Sequence, residues 1–169
     1  MLSKKLAKKL NDQINFEYYS SNVYLQMSAW AEFNALPGTA AFLKKHAAEE
    51  LTHMHRIFNY VNETGTLALV GKMDAPPTEF KSIAEVFDEV LAHEKLVTKK
   101  INDITAAAWE DKDFATFNFL QWFVDEQHEE ETLVQGIVDK INLIGSDKRA
   151  LYLIDRELAQ MAAAPAEEE

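Results

Sequence analysis

The segment Leu43-Lys-Lys-His-Ala-Ala-Glu-Glu-Leu-Thr-His-Met-His-Arg-Ile57 has the period of an α-helix. Leu43, Ala47, Met54 and Ile57 recur at steps of three, four and seven, so they share one face. Glu50 lies on that same apolar face, and His53 follows it by three. A carboxylate there should point inward. Left unpaired, it would cost roughly several kcal/mol or take up a proton.

The same anomaly recurs three more times along the chain. Glu17 shares a face with Leu10, Ile14, Ser21 and Tyr24. Glu94 sits among Phe87, Val90, Leu91, Val97 and Ile101, and Glu130 among Phe123, Leu133, Val134 and Ile137. No lysine or arginine stands beside them on these faces. A positive charge is missing from the sequence, and a bound metal cation is the economical candidate.

Glycine, proline and capping residues divide the chain around these four positions. A first helix is expected over 4–33, broken by Leu36-Pro-Gly-Thr39, with Thr39 able to cap the next. A second helix should run over 40–64 and stop at Gly65. Residues 66–81 form the one long connection and include a β-prone piece, Leu67-Ala-Leu-Val70. The capping box Ser82-Ile-Ala-Glu85 opens a third helix to about Trp109. Asp113 can cap a fourth that ends near Gly145, and Ser146-Asp147 a short fifth over 148–160. The expected fold is all-α: a four-helix bundle with one long crossover and a short fifth C-terminal helix. It forms one domain over 1–161, with residues 162–169 an acidic, disordered tail.

Spacing tests the metal idea independently. In an antiparallel hairpin, residues equidistant from the turn share a level. The midpoint of Glu17 and Glu50 falls between Phe33 and Asn34, and that of Glu94 and Gln127 between Glu110 and Asp111. Both lie at or beside expected turns. Glu17 to Glu50 is 33 residues and Glu17 to His53 is 36; Glu94 to Gln127 is 33 and Glu94 to Glu130 is 36. Each half therefore places one carboxylate opposite a polar pair three residues apart. Di-metal carboxylate bundles use one Glu from each of two helices and a Glu-x-x-His from each of the other two. Here the first pair, Glu50/His53, has that form, and the second is Gln127/Glu130.

Composition narrows the chemistry. With no cysteine, disulfides and thiolate metal sites are excluded, which fits a cytoplasmic location. The N-terminus is basic and amphipathic, no run is long enough to cross a membrane, and a net charge of −11 argues against nucleic acid as the main partner. Oxygen-rich ligands with one imidazole suit iron, manganese or zinc rather than Cu(I) or structural zinc. Two adjacent Fe(II) ions could each give an electron to O2 or peroxide.

Three segments carry a resemblance to a known family: Asn15-Phe-Glu-Tyr-Tyr-Ser-Ser21, His46-Ala-Ala-Glu-Glu-Leu-Thr-His53 and Phe117-Asn-Phe-Leu-Gln-Trp-Phe-Val-Asp-Glu-Gln-His-Glu-Glu-Glu131. The chain resembles non-haem bacterial ferritin over essentially its whole length. The resemblance implies an iron-storage shell of 24 subunits that oxidises Fe(II) with O2 or H2O2 and deposits Fe(III) mineral inside. It implies a di-iron ferroxidase centre of Glu17, Glu50, His53, Glu94, Gln127 and Glu130, with Glu50 bridging. A third iron site would map onto Glu49, Glu126 and Glu129, sharing Glu130. The family's tyrosine beside the iron pair would be Tyr24, able to supply an electron or a hydrogen bond. Bacterioferritin places a haem-ligating methionine directly after the helix-two glutamate; Leu51 stands there, so no haem is expected.

Other polar residues read more plainly. His46, His55, His93 and His128 are taken as ordinary polar or core histidines, Glu131 as surface, and Trp122 and Met54 as core. The alternatives are a di-iron oxygenase or peroxidase acting on another substrate, which expects a second Glu-x-x-His, and a metal-free structural bundle, which leaves four inward glutamates unexplained.

Overall fold

The computed structural model describes residues 2–145 and 147–164. Its elements are α1 (Lys4–Phe33), α2 (Pro37–Glu63), α3 (Ile83–Glu110), α4 (Phe114–Ile144) and α5 (Lys148–Ala163), with no strand among the described residues. Helices α1 and α2 form one antiparallel hairpin, α3 and α4 the other, and residues 64–82 cross between them. Small side chains draw α1 and α2 together: Ser21 Oγ donates to the Ala47 carbonyl at 2.6 Å and Ser28 Oγ to the Ala40 carbonyl at 2.8 Å.

The two hairpin turns are the same turn. Among the described residues, Ala35 and Lys112 are the non-glycine residues with positive φ, at 59° and 57°. The amides of Asn34, Ala35 and Leu36 donate to Trp30, Glu32 and Ala31. Those of Asp111, Lys112 and Asp113 donate to Ala107, Trp109 and Ala108, at the same offset that separates Glu17 from Glu94.

Two expectations, for the start of α2 and the end of α5, need correction. Helix α2 begins at Pro37, not after a Thr39 cap. Proline suits the first helical position because its missing N–H would have no intrahelical partner there. Leu36, at the N-cap, offers no side-chain bond. The amides of this first turn, which have no intrahelical partner, are satisfied from α5 instead: the Asp155 carboxylate accepts from Gly38 N at 3.0 Å, Thr39 N at 2.7 Å and Thr39 Oγ1 at 2.8 Å. The β-prone piece 67–70 stays within the connection, as expected, and forms no strand. Asn11 and Asn15 of α1 clasp its backbone, accepting from Leu69 N and Gly71 N and donating to the Leu67 and Leu69 carbonyls. Helix α5 runs to Ala163, into the stretch expected to be tail, and buries Ile154 and Leu158 against its own bundle. Asp147 caps it; Ser146 and residues 165–169 lie outside the described residues.

The apolar core is divided. One part gathers Leu6, Leu10, Ile14, Ile57, Val97, Ile101, Leu120 and Phe123. The other gathers Tyr24, Met27, Phe42, Leu43, Phe87, Val90, Val134 and Ile137. On every helix of the bundle, the gap between the two parts contains a residue singled out above.

Candidate metal centre

Glu17, Glu50, His53, Glu94, Gln127 and Glu130 fill that gap, each less than a tenth exposed. Their helices present them inward because each shares the apolar stripe that builds the core. Ligand-capable atoms of Glu17, Glu50 and His53 lie within 4.8 Å of one another. His53 Nδ1 is 3.5 Å from Glu50 Oε2, and His53 Nε2 is 3.8 Å from Glu126 Oε1.

The carboxylates on α1 and α3 are held differently. Gln13 Nε2 donates to Glu17 Oε1 at 2.8 Å, and Glu17 Oε2 has no hydrogen-bond partner. On Glu94, Gln127 Nε2 donates to Oε2 at 3.0 Å, and the fully buried Tyr24 hydroxyl donates to Oε1.

A second group gathers His46, Glu49 and Glu130, again within 4.8 Å. His46 Nε2 lies 3.4 Å from Glu130 Oε2, and Nδ1 lies 3.7 Å from Glu49 Oε2. His46 Nδ1 is also 3.1 Å from the Phe42 carbonyl. A proton on Nδ1 would bond that carbonyl and leave Nε2 free to bind a cation. Glu126 is half-buried at the edge of the layer, beside His53, and Glu129 is exposed and in neither group.

Without a metal, the layer retains protons. Burial raises the Glu17 carboxyl well above its ordinary range, with the Glu50 charge adding to it. Burial and the Glu130 charge lift Glu94 to about 7. For His53, burial favours the neutral ring, but the carboxylates of Glu126 and Glu50 outweigh it and raise the ring to about 11. Burial acts the same way on His46 and is outweighed by Glu130, giving about 9. Burial, then Glu94 and Glu50, keep the Tyr24 phenol neutral.

The donor set fits a cation. Glu17 Oε2, Glu50 Oε2, Glu130 Oε2 and His46 Nε2 are buried without hydrogen-bond partners. Buried polar atoms are almost always satisfied. Glu130 Oε2 and Glu50 Oε2 face protonated imidazoles only at ion-pair range, 3.4 and 3.5 Å, and with Glu17 Oε2 they are the oxygens that a divalent ion would engage as it displaces those protons.

Two residues were not identified as site residues from the sequence. His46 precedes Glu50 by four on the buried face of α2, yet its approach to Glu130 spans two helices and leaves no local mark in the sequence. Gln13 was not singled out, yet it is 2% exposed and precedes Glu17 by four on the same stripe. A buried amide one turn from a buried carboxylate was the available signal.

Comparison with known proteins shows the family. The ferritin-like domain family matches residues 7–144. A non-haem ferritin-like protein of Haemophilus influenzae is 52% identical over 96% of this chain and 98% of its own length. The bacterial non-haem ferritin of Escherichia coli is 48% identical over 95% and 98%. An open-pore ferritin of Archaeoglobus fulgidus superposes with a TM-score of 0.92 at 42% identity, covering 94% of this chain and 96% of that one. A Chlorobium tepidum ferritin gives 0.85 at 48% identity, covering 94% and 97%. With its crossover bundle and its carboxylate layer, the chain belongs to the ferritin family.

Proposed function

We propose that this protein stores iron and that its buried layer is a ferroxidase centre. The observation that carries this reading is the set of orphaned buried oxygens on Glu17, Glu50 and Glu130. One Fe(II) would bind Glu17, Glu50 and His53. A second would bind Glu50, Glu94 and Glu130, with Gln127 alongside, so that Glu50 serves both. Together the ions supply the two electrons that take O2 to hydrogen peroxide, or H2O2 to water.

The chain's own residues hold the protons that this exchange displaces. His53, Glu17 and Glu94 retain protons in the metal-free layer, so loading releases them. Tyr24 holds one Glu94 oxygen by its hydroxyl, and in this reading it would supply an electron or a hydrogen bond beside the iron pair. A third iron would bind Glu49, Glu126 and Glu129 with Glu130 shared; the position of His46 supports adding it to this set.

In this reading Fe(III) then passes inward to mineralise inside a cytoplasmic shell of 24 copies. No haem takes part, since Leu51 stands where a haem-ligating methionine would. Among the described residues, no helix is long and apolar enough to cross a membrane. The test is an aerobic Fe(II) titration combined with a particle-size measurement. Amber Fe(III) absorbance should grow beyond the three ions that these residues could hold, on particles of about two dozen chains. Absorbance that stops at two ions per chain would mean a di-iron enzyme without storage, and a monomer or dimer would overturn the shell.

A further inference from the structure

Gln13 has no place in the ligand set above, yet it occupies core space. It stands on α1 beside Leu10 and Ile14, only 2% exposed. An apolar side chain would pack there without the cost of burying an amide. The corresponding position of the second hairpin shows this: Val90, one turn before Glu94, is plainly apolar and buried. Glu94 takes its hydrogen bonds from Tyr24 and Gln127 instead. Glu17 has Gln13, bonding Oε1 at 2.8 Å, while Oε2 is left without a partner in the layer that holds Glu50 and His53.

We propose that Gln13 is a positioning residue that holds Glu17 by one oxygen and presents the other, singly, to the ion on the His53 side. The inference rests on the ferroxidase reading of that layer. The residue type fits the task. A lysine would add a positive charge that opposes the incoming cation, and a serine would not reach. A glutamine amide gives a directional bond with no net charge. Because the donor comes from the same helix, the carboxylate orientation is set within α1 before any ion arrives. Groups that orient a metal ligand typically contribute about 10- to 100-fold in metal affinity.

The experiment uses Co(II), which is redox-stable here and reports its ligand field through visible d–d bands. It is titrated into the assembled, metal-free protein. In Gln13→Met, the affinity of the His53-side ion should fall about tenfold or more, and its d–d band should shift as Glu17 turns. Gln13→Asn keeps an amide in the core but cannot span to Glu17, so it should lose the same affinity; it also serves if Gln13→Met does not assemble. In a Glu17→Ala background, Gln13→Met should have no further effect, because Gln13 acts only through Glu17. Wild-type affinity and an unchanged band in either Gln13 variant would overturn the inference. So would a Gln13→Met loss that persists undiminished in the Glu17→Ala background. If the wild-type protein itself binds no Co(II) in this layer, the ferroxidase reading fails instead, and the two failures are distinguishable.

Discussion

The two hairpins share a turn, a spacing and a register, and they differ in how α2 and α4 are started. In the second hairpin, Asp113 is its own N-cap: its carboxylate bonds Thr116 N at 3.1 Å and Thr116 Oγ1 at 2.7 Å. In the first, the matching N-cap is Leu36, and the matching threonine is Thr39. Thr39 donates the same two bonds, but to Asp155 on α5. The fifth helix thus supplies a cap that the local sequence omits. Glycine follows the same logic. A Cβ on Gly38 would lie 1.8 Å from the Asp155 carbonyl oxygen, whereas the matching residue in the second hairpin is Ala115. The layer between the hairpins is likewise a duplicated frame with changed contents: Glu50 and His53 in one half, Gln127 and Glu130 in the other.

The largest effect should come from the member of that frame placed to serve both ions. Glu50→Ala is expected to abolish fast Fe(II) oxidation while leaving particle size unchanged. The loss should exceed the roughly 10- to 100-fold typical of removing a group that only orients a ligand. Gln127→Ala, at the matching position, should cost less, because it frees Glu94 Oε2 for the metal as it removes a neighbour. Stopped-flow absorbance of both variants tests the difference. Equal losses would mean that the two halves are functionally equivalent, and unchanged kinetics in Glu50→Ala would remove Glu50 from the site.

The cap comparison predicts the next largest effects, on stability. Asp155→Ala leaves three donors without their acceptor, two of them backbone amides, and should cost about 2 kcal/mol. Asp113→Ala, which removes a local cap from a helix otherwise well packed, should cost about 1 kcal/mol. Gly38→Ala should push α5 away and cost about 1–3 kcal/mol, by overpacking against a backbone that cannot yield. Introducing Leu36→Asp into the Asp155→Ala protein should recover part of the loss by restoring a local cap. Urea unfolding measures all four. No recovery in the double variant would mean that Asp155 acts by docking α5 rather than by capping α2.

These same features mark how far the sequence could be read. The four buried glutamates were legible because helical periodicity is local, and a charge on an apolar stripe stands out against it. The frame of 33 and 36 residues was legible because antiparallel hairpins convert sequence distance into level. The start of α2 was misplaced because its cap lies on α5, more than a hundred positions away. The segment 67–70 looked β-prone because its side chains favour extension, yet an extended backbone needs a partner, and side-chain amides of α1 supplied it. His46 was not legible because its carboxylate neighbour Glu130 lies on another helix, and Gln13 because a neutral amide does not violate an apolar face as visibly as a charge does.

The metal-free layer should also show in the pH dependence of stability. Glu94 has a folded value of about 7 against an ordinary 4.5, so the folded state binds its proton more tightly. That contribution is full below pH 4.5 and is lost as pH rises to about 7. For His46 the contribution is full below 6.5 and lost as pH rises through about 9. Glu130, held below its ordinary value by His46 against the effect of burial, acts oppositely and only in acid. His93, lowered by burial to about 4, opposes Glu94 up to about pH 6.5, so chelator-treated protein should lose Tm chiefly from about pH 6.5 to pH 9, where His46 gives up its proton. Zinc-loaded protein should lose less, since the ion replaces the protons. Parallel curves for the two forms would mean that the protons and the metal do not compete for these groups.

The smallest effect is expected at His128, which directly follows Gln127 on α4 but is out of register with the frame. In the first hairpin the matching residue is Leu51, which follows Glu50 and faces away from the layer's ligands. His128 is exposed, and it belongs to neither of the groups that could hold an ion. His128→Ala should leave the oxidation rate within about twofold and stability within about 0.5 kcal/mol, as for an ordinary surface substitution. The side chain does line a cavity of about 200 Å3 between α3 and α4, together with Thr98, Asn102 and Gln127. The first hairpin puts Leu25 and Leu51 where the second has Asn102 and His128, so the matching positions there are apolar. A large rate loss in His128→Ala with unchanged Co(II) affinity would therefore locate the functional difference between the hairpins in this recess, as a path to the layer, and not in the ligands themselves.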